Sequence, residues 1–475
     1  MVGENMLDFL TPTEAWRELM ERRRGYYAPC MAAFGGDHRE LARTAAPGSF
    51  WKRGGKVKLH VPVAADIAAT GASLLFGEEP RFTIYDEEKG ESEEESIPRL
   101  EAILTGNGLT RRLHEAAEAA AAAGDVYLKA RYDLKNADMP AISVVGGPDA
   151  LPEYRLGQLR CIHFFTAFKT DRQTGRIWRV YERYERGRIL SAVYCGDGGN
   201  LGAMCPEMLE ALGLEAEARP PVEDLLAAHI ENMMPSRIWP SEDKGRSDLE
   251  GLRDLMDSLD EVYTSWMRDI RLAKSRLIVP AEFLRRSREE LFREGAYTYD
   301  FDEDVETLVA LDIGGDGVEM KITPSQFNIR AQEHQQTFES TLRTILTLAG
   351  YSPQSFGLDI SGTAESGTAR RMMERKSLST NAKKQSYWKG PLEEFLTAVM
   401  RLDKALYGND RLTKEDRVRV ELRDPGEGDP GEAASAVGLL RTARAASTET
   451  MVRMLHPDWS QKQVQEEAER IQAEK

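Results

Sequence analysis

The sequence predicts an α+β fold that is mainly α-helical, and three observations support this prediction. Three stretches predict long helices because their apolar residues recur at steps of three and four: residues 247–277, 325–350 and 368–406. Between residues 140 and 196, runs rich in β-branched and aromatic residues alternate with turn sequences such as "DRQTG", which is typical of an antiparallel meander. The 475-residue chain, 41% hydrophobic, is long enough for roughly two to four domains.

The first half of the chain combines helices with this meander. An amphipathic helix is predicted over residues 12–25, and a later helix stops near Gly77 before a strand at residues 81–85. An alanine-rich helix then ends at Gly124 and leads into a strand that begins at Val126. Helices and strands are segregated along this half, which favours an α+β arrangement over an alternating α/β one.

The helix predicted over residues 247–277 carries the clearest signals. Ser247 followed by Glu250 matches a capping box at its start, and Pro280 lies just after its end. Acidic residues crowd its first half and basic residues its last turns, an order that complements the helix dipole. About 30 residues at about 1.5 Å each would give a rod of roughly 45 Å.

Two further long helices frame a polar, nearly uncharged loop. A compact insert of a short helix and strands is predicted before the first of them, which ends at Gly350. The loop "FGLDISGTAESGT" then leads into the third helix, in which a kink is expected at Gly390 and Pro391. A strand, "RVRVEL", and the linker "RDPGEGDPGE" precede helices over residues 433–475.

The composition restricts the compartment and the partners. A formal net charge of −16 argues against nonspecific nucleic-acid binding through a globally basic surface, but not against a protein past which nucleic acid slides. No apolar run approaches the roughly 18 residues of a membrane span, and the N-terminus lacks the pattern of a secretory signal. Four scattered cysteines without C-x-x-C spacing indicate a reducing cytoplasm and no structural disulfides.

The polar loop offers G-x-x-x-x-G spacings, from Gly357 and from Gly362, that resemble a phosphate-binding loop. In both, Ala or Thr stands where the phosphate-binding Lys is required, and a helix rather than a buried strand precedes the loop. An EF-hand interpretation of the segment from Asp300 fails because Val305 and Leu311 replace the required Gly and Glu. We therefore expect no bound nucleotide, no calcium and no other cofactor.

Cys161 and His163 form a C-x-H pair on one face of a predicted strand. A metal site needs three or four ligands, and the sequence indicates no third ligand in reach. We interpret the pair as packed strand residues and predict no metal site. No nucleophile-elbow or metalloprotease motif is present either, so enzymatic activity has no positive support.

The order of these elements, together with local text, resembles the portal proteins of tailed bacteriophages, specifically the siphophage-type portal family. The resemblance runs across nearly the whole chain in consistent order. It is carried by "ADIAATGASLLFGEEPRF", "AAAAAGDVYLKARYD", "GRSDLEGLRDLMDSLDEVYTSWMRDIRLAKSRLIVP", "FGLDISGTAESGTARRMMERKSL" and "STETMVRMLHPDWSQKQVQEEAERIQAEK". None of these stretches is a catalytic signature, so the specificity lies in their combination.

The resemblance implies a portal-type subunit with a wing, a two-helix stem, a small α/β clip, a tunnel loop and a helical crown. The corresponding residues are 1–246 for the wing, 247–276 and 325–350 for the two stem helices, 277–324 for the clip, 351–368 for the tunnel loop, 369–429 for the long helix and strand of the wing, and 430–475 for the crown.

The resemblance also implies which residues face DNA, and it implies no catalytic residue. The DNA-facing tunnel-loop residues would be Leu358, Asp359, Ile360, Ser361, Gly362, Thr363, Ala364, Glu365, Ser366 and Gly367. The candidate channel-lining residues of the stem are the bases near the end of its first helix, namely Arg268, Arg271, Lys274 and Arg276.

A portal subunit is expected to assemble into a homo-oligomeric ring, a dodecamer, at one capsid vertex of the virion, after synthesis in the host cytoplasm. Double-stranded DNA would pass through its channel during packaging, retention and ejection. The implied partners are the large terminase subunit, which hydrolyses ATP itself, head-completion and adaptor proteins, and the major capsid and scaffolding proteins; no membrane is involved. Two alternatives stay open: a non-channel head scaffold or adaptor, and a DNA-processing ATPase.

Overall fold

Helices make up the larger part of the fold, and the predicted α+β, mainly helical class is confirmed. The structure, a computed structural model, describes residues 14–54, 57–86, 91–92, 96–197, 201–239, 244–273, 276–280, 309–311, 323–325, 329–358, 367–408, 416–423, 430–456, 459 and 461–473. The helices are α1 (Glu14–Gly35), α2 (His38–Thr44), α3 (Val63–Phe76), α4 (Ile97–Gly106), α5 (Leu109–Ala123), α6 (Pro206–Ala211), α7 (Arg253–Leu272), α8 (Ala331–Ala349), α9 (Gly367–Tyr407), α10 (Pro430–Ala443), α11 (Thr448–Leu455) and α12 (Gln461–Ala473).

The strands form small antiparallel sheets and one mixed sheet. They are β1 (Arg81–Asp86), β2 (Glu91–Ser92), β3 (Asp125–Arg131), β4 (Ala141–Gly146), β5 (Ala150–Arg155), β6 (Gln158–Thr170), β7 (Ile177–Glu185), β8 (Arg188–Gly196), β9 (Ala203–Met204), β10 (Glu217–Ala218), β11 (Ala227–Glu231), β12 (Arg276–Pro280), β13 (Val309–Leu311), β14 (Thr323–Ser325) and β15 (Asp416–Glu421). Strand β1 pairs along its full length with β15, so the C-terminal part of the chain returns to the first half.

The predicted meander forms the largest sheet. Strands β5, β6, β7 and β8 pair in chain order, each antiparallel to the next, and β9 and β10 add to β8. The placement of β4 in this meander is wrong, because β4 pairs with β3 in a separate sheet that also contains β11. Strand β3 is buried along nearly its whole length, as a central strand with a partner on each edge is.

The main core forms around α9, which packs against α3, α4, α5 and the sheet of β3. Trp388 and Phe395 of α9 are fully buried, and the ring of Trp388 meets that of Phe76 edge-on with centroids 5.0 Å apart. Burial of each such side chain stabilises the fold by about 1.5–3 kcal/mol. Helix α3 also has a second buried face, where Ile67 packs against α7 and α8. The fold therefore joins two cores through α3.

Helix α7 is shorter than predicted, and its predicted capping box is wrong. The helix begins at Arg253 because the two capping side chains bond to distant groups. Ser247 Oγ donates to the Ala122 carbonyl at 2.7 Å, and Glu250 Oε1 accepts the backbone N–H of Arg237 at 2.6 Å. The 20 residues of α7 give a rod of about 30 Å, not the roughly 45 Å expected.

The second stem helix also starts later than predicted. Helix α8 begins at Ala331 instead of residue 325, because β14 extends to Ser325 and pairs with β12. Strand β13 pairs with the other edge of β12 in parallel. The short helix predicted in the insert lies outside the described residues.

The C-terminal end of α8 and the order of the helices that follow it agree with the sequence prediction. Helix α8 ends as predicted at Gly350, whose φ of 104° allows the left-handed turn at the end of the helix. Helix α9 is continuous through Pro391, and helices α10, α11 and α12 follow β15 in the predicted order. Within the described part of the chain, no helix combines the length and hydrophobicity that crossing a membrane requires.

Candidate functional site

The segment after α8, which we call the loop base (residues 350–358), is fixed to the body of the protein. It contains a short 3-10 turn, and the side chains of Phe356 and Leu358 pack against the core between α3, α7 and α8. The Oγ of Ser377 on α9 accepts the backbone N–H of Ser352 at 2.8 Å. These contacts hold the first part of the predicted tunnel loop in place.

Helix α9 also supplies hydrogen bonds to the C-terminal end of α8. Thr380 Oγ1 donates to the Gly350 carbonyl at 2.6 Å, and Lys376 Nζ donates to the Thr347 carbonyl. The last carbonyls of a helix have no partner within it, so side chains of a neighbouring helix that bond to them fix the helix end. The two helices that flank the loop are therefore joined directly at its base.

A buried group of four polar side chains, which we call the junction cluster, lies under the loop base: Asn232, Asp248, Tyr351 and Lys384. Asp248 Oδ2 accepts from Lys384 Nζ at 2.6 Å and from Tyr351 OH at 2.7 Å, and Lys384 Nζ also donates to Tyr351 OH at 2.9 Å. Asp248 Oδ1 accepts from Asn232 Nδ2 at 2.8 Å. Burial, reinforced by the negative charge of Asp248, raises the pKa of Tyr351 well above its usual range, so Tyr351 keeps its proton.

The junction cluster packs against a glycine of α3. A Cβ built on Gly71 would lie 2.4 Å from Tyr351 OH and 3.1 Å from Lys384 Nζ. Such contacts are too short for a side chain, so only glycine allows α3 to approach this closely. Residues of α3, of the segment before α7, of the loop base and of α9 thus meet at one point.

A second buried ion pair holds the segment that leads into α7. Lys244 Nζ lies 3.2 Å from Asp125 Oδ1 and donates to the Ala123 carbonyl at 2.8 Å. Burial opposes ionisation of Asp125, but the positive charge of Lys244, the interaction with His229 and the charge of Arg23 together outweigh it and lower the pKa of that carboxyl. Gly124, with φ 100°, has no room for a Cβ because the carbonyl of Gly245 would lie 2.5 Å away. The segment that leads into α7 is therefore tied to the end of α5.

Helices α7 and α8, which correspond to the predicted stem, contact each other through aliphatic side chains near the loop base and through aromatic rings farther along the pair. The rings of Trp266 and His334 stack with centroids 6.2 Å apart, and those of Tyr263 and Phe338 lie 5.9 Å apart. Nearer the ends of the pair, Asp269 Oδ2 lies 2.9 Å from His334 Nε2. The hydrogen bond from His334 lowers the pKa of Asp269.

The acidic first half of α7 binds the segment of residues 51–61. Asp260 accepts from Trp51 Nε1 at 2.9 Å and from the backbone N–H of Val61 at 2.8 Å. Thr264 Oγ1 accepts the backbone N–H of Leu59 at 3.0 Å. Asp260, one of the acidic residues expected to complement the helix dipole, therefore also accepts hydrogen bonds from a distant segment of the chain.

The four predicted stem bases do not lie together on one helix. Arg268 and Arg271 lie in α7, on the face that continues from Thr264 and away from Trp266. Arg268 is exposed and Arg271 half-buried. Of the other two bases, Arg276 is the first residue of β12 and not part of α7, and Lys274 lies outside the described residues.

The predicted tunnel-loop residues are described only at their two ends. Leu358 belongs to the loop base, and Gly367 is the first residue of α9. Residues 359–366 lie outside the described residues.

The outer face of α8 carries an open groove of about 490 Å³. Leu348 on this face is 63% exposed. All the residues that line the groove belong to α8: Gln336, Glu339, Ser340, Arg343, Thr344, Thr347 and Leu348. Four of these seven side chains are polar and uncharged, and Glu339 and Arg343 carry opposite charges.

Cys161 and His163 have a third potential metal ligand beside them, which corrects the expectation that none is in reach. Glu153 on β5 lies opposite Cys161 on β6, and the three ligand atoms are within 4.8 Å of one another. The sequence shows the pair because its spacing is local, whereas Glu153 becomes a neighbour only through strand pairing.

The junction cluster is not among the sites predicted from the sequence, although α9 contains a signal for it. Ser377, Asn381, Lys384 and Trp388 follow one another at steps of four, three and four, and all are buried. A lysine within the buried stripe of a helix indicates a buried acidic partner, because an unpaired charge is costly to bury. The partner itself, Asp248, cannot be recognised from this pattern.

A family model described as "Phage portal protein, SPP1 Gp6-like" matches residues 52–475. The chain belongs to the phage portal protein family. The resemblance derived from the sequence is therefore confirmed, and as a portal, or head–tail connector, the protein belongs to a structural rather than an enzymatic family. No curated protein matches the chain.

Two solved structures are similar to this portal chain. One is described as "Neck of empty GTA particle computed with C6 symmetry"; it is 12% identical, with 83% of this chain and 90% of that chain covered and a TM-score of 0.43. The other is described as "Neck of native GTA particle computed with C12 symmetry"; it is 11% identical, with 83% and 89% covered and a TM-score of 0.42. Membership of the portal family rests on the match over residues 52–475.

Proposed function

We propose that this portal protein is the repeating subunit of a homo-oligomeric ring, a dodecamer, at one capsid vertex, and that double-stranded DNA passes through the ring during packaging, retention and ejection. The observation that carries the proposal is the family match over residues 52–475. The ring would dock the terminase large subunit and the head-completion or adaptor proteins, and it would contact the major capsid and scaffolding proteins. The net charge of −16 suits a conduit that must not hold phosphate groups tightly.

Within such a subunit, α7 and α8 form the stem, and the mixed sheet of β12, β13 and β14 belongs to the clip. Residues 1–246 together with 369–429 form the wing, and residues 430–475 form the crown. The polar outer face of α8 and the bases Arg268 and Arg271 are then the stem surfaces offered to DNA or to neighbouring subunits. The aromatic contact between α7 and α8 keeps the two stem helices together within one subunit.

Within the predicted tunnel loop, residues 351–368, we assign the DNA-facing part to residues 358–367. The loop base and the first described turns of α9 support this assignment, because they fix both flanking helices to one point of the body. This predicted loop lies between the two flanking helices in the sequence. Its charged residues, Asp359 and Glu365, are both negative, so we expect it to contact passing DNA without binding the phosphates.

Deletion of residues 359–366 tests the proposal while sparing Phe356 and Leu358, which pack in the core. We expect electron microscopy to show rings with a central channel for both the wild type and the deletion variant. Rings should still form because the junction between α8 and α9 stays intact. Particles with the variant should fail to package or retain DNA because the loop is lost.

The two readouts separate the alternatives. A wild-type protein that stays monomeric at every concentration would overturn the ring. Rings of the deletion variant that package and retain DNA like the wild type would overturn the channel loop and favour a head scaffold or adaptor. ATP turnover by the purified wild-type protein would favour the ATPase alternative.

A further inference from the structure

Three side chains in the largest sheet form a compact group of different ligand types. Cys161 Sγ lies 3.0 Å from Glu153 Oε2 and 3.5 Å from His163 Nε2, and Glu153 Oε2 lies 3.5 Å from His163 Nε2. Cys161 and His163 are fully buried, whereas the Glu153 side chain is 32% exposed. One side of the group is therefore closed by the protein, and the other is open to solvent.

These three distances agree with one face of a tetrahedral zinc site. Bonds of about 2.3 Å to sulfur and about 2.0–2.2 Å to nitrogen and oxygen place neighbouring ligand atoms about 3.4–3.6 Å apart. The two distances to His163 Nε2 match this range, and the distance from Cys161 Sγ to Glu153 Oε2 is shorter by about half an ångström. The thiol, imidazole and carboxylate are the ligand types that Zn²⁺ prefers.

We propose that Glu153, Cys161 and His163 bind one divalent transition-metal ion of the Zn²⁺ type, with a water molecule as the fourth ligand. The thiol of Cys161 loses its proton to solvent when the sulfur binds the ion. The ion links strand β5 to strand β6 at the bulge between Glu153 and Tyr154. The site lies in the sheet of β5 to β8, keeps one position open to water, and is independent of the role proposed for the stem and the loop.

The surroundings orient the histidine for this role. His163 Nδ1 lies 2.7 Å from the hydroxyl of Tyr181, a fully buried residue on β7. A partner on one ring nitrogen fixes the ring and turns the other nitrogen toward the metal, as in the outer shells of known metal sites. Tyr181 is thus a positioning residue for the site.

Arg183 is the nearest competing cation. Its Nη2 lies 3.9 Å from Glu153 Oε2 but 2.6 Å from Glu185 Oε1. The closer pair with Glu185 holds the guanidinium, so Glu153 can turn its oxygen to the ion. Without the ion, the hydrogen bond from His163 lowers the pKa of Glu153 to about 2, and burial raises the pKa of Cys161 to about 12.

The test uses chelator-treated full-length protein, titrated with Zn²⁺ and, in parallel, with Co²⁺. We expect one Zn²⁺ per chain after dialysis, measured by elemental analysis, and a thiolate-to-cobalt charge-transfer absorption with Co²⁺. Cys161→Ser should abolish the absorption and the retained zinc, and Tyr181→Phe should weaken Zn²⁺ binding by about 10–100-fold. Cys205→Ser is the matched control, because Cys205 lies in another segment and should leave both readouts unchanged.

Glu153→Gln keeps the test decisive if Cys161→Ser does not fold, because Glu153 is the partly exposed member of the group. It should weaken Zn²⁺ binding while the cobalt absorption persists at saturating Co²⁺. Wild-type protein that retains no zinc and shows no cobalt–thiolate absorption would overturn the proposal. So would zinc binding that is unchanged by Cys161→Ser or, with that variant unfolded, by Glu153→Gln.

Discussion

The junction cluster holds the segments next to α7 and α8, the proposed stem helices. The far ends of these helices are held by Asp269, Arg330 and His334, which we call the distal stem, and the two places do so by different means. At the junction, Asp248 and Lys384 are 3% and 2% exposed, and Tyr351 and Asn232 also donate hydrogen bonds to the Asp248 carboxylate. In the distal stem, Asp269 and Arg330 form an ion pair whose side chains are 30% and 71% exposed. The segments next to α7 and α8 are therefore held by buried contacts with the body of the protein, whereas the far ends of the two helices are joined by an exposed ion pair.

The physical difference lies in what water can replace. When a buried ion pair loses one partner, the other charge stays in a low-dielectric interior without compensation. When an exposed ion pair loses one partner, water solvates the remaining charge, and little free energy changes. Substitutions at the two places should therefore change the free energy of unfolding by different amounts, and unfolding measurements on the variants test this difference.

Lys384→Met should have the largest effect. It removes the cation that pairs with Asp248 and leaves that carboxylate buried between Tyr351 and Asn232. We expect the free energy of unfolding to fall by about 3–5 kcal/mol, measured by urea denaturation at a fixed protein concentration.

Lys383→Met is the matched control for this substitution. Lys383 is the preceding residue on α9, but it is exposed, and its Nζ donates only to the Met234 carbonyl, at 3.1 Å, among the bonds described. We expect a change within about 0.5 kcal/mol. Equal effects of the two substitutions would show that the junction cluster does not fix the base of the stem.

Gly71→Ala should have the next largest effect, because its Cβ would displace Tyr351 OH and Lys384 Nζ. Overpacking of this kind destabilises by about 1–3 kcal/mol. Gly25→Ala on α1 is the control of opposite sign: no heavy atom lies within 4 Å of its Cβ, and alanine in a helix stabilises by about 0.5–1 kcal/mol over glycine. Thermal unfolding of both variants measures the difference, and a stabilising Gly71→Ala would contradict the close packing.

Signals that depend on neighbouring residues in sequence predicted the fold well. The helix ends at Gly124 and Gly350 follow from glycine after an apolar stripe, and both residues have positive φ. The start of α7 was predicted wrongly for the opposite reason. Ser247 and Glu250 have the spacing of a capping box, but tertiary contacts with the Ala122 carbonyl and other distant groups replace it. Local pattern cannot show that a polar side chain already has a partner far along the chain.

The candidate site was only partly predictable for the same reason. The polar loop is visible as a run of Gly, Ser and Thr between two apolar stripes, so its position follows from local sequence. Its anchors are not local: Asp248 and Lys384 lie far apart in the chain and meet only because α3, α9 and the loop base converge. The group of Glu153 and Cys161 likewise depends on the register of β5 and β6.

The smallest effect is expected at the distal stem, from Asp269→Asn. His334 and Arg330 lower the pKa of Asp269, so its stabilising contribution is fully present above the ordinary carboxyl pKa of about 3.9 and is lost as the pH falls through the lowered value. Because the pair is exposed, we expect the variant to lose less than about 1 kcal/mol at pH 5, and the difference from the wild type to vanish at lower pH. Urea unfolding of both proteins from about pH 5 to pH 3 measures this trend. A difference that grows on acidification, or a loss at pH 5 as large as that of Lys384→Met, would mean that the distal stem is held by the same kind of contact as the junction.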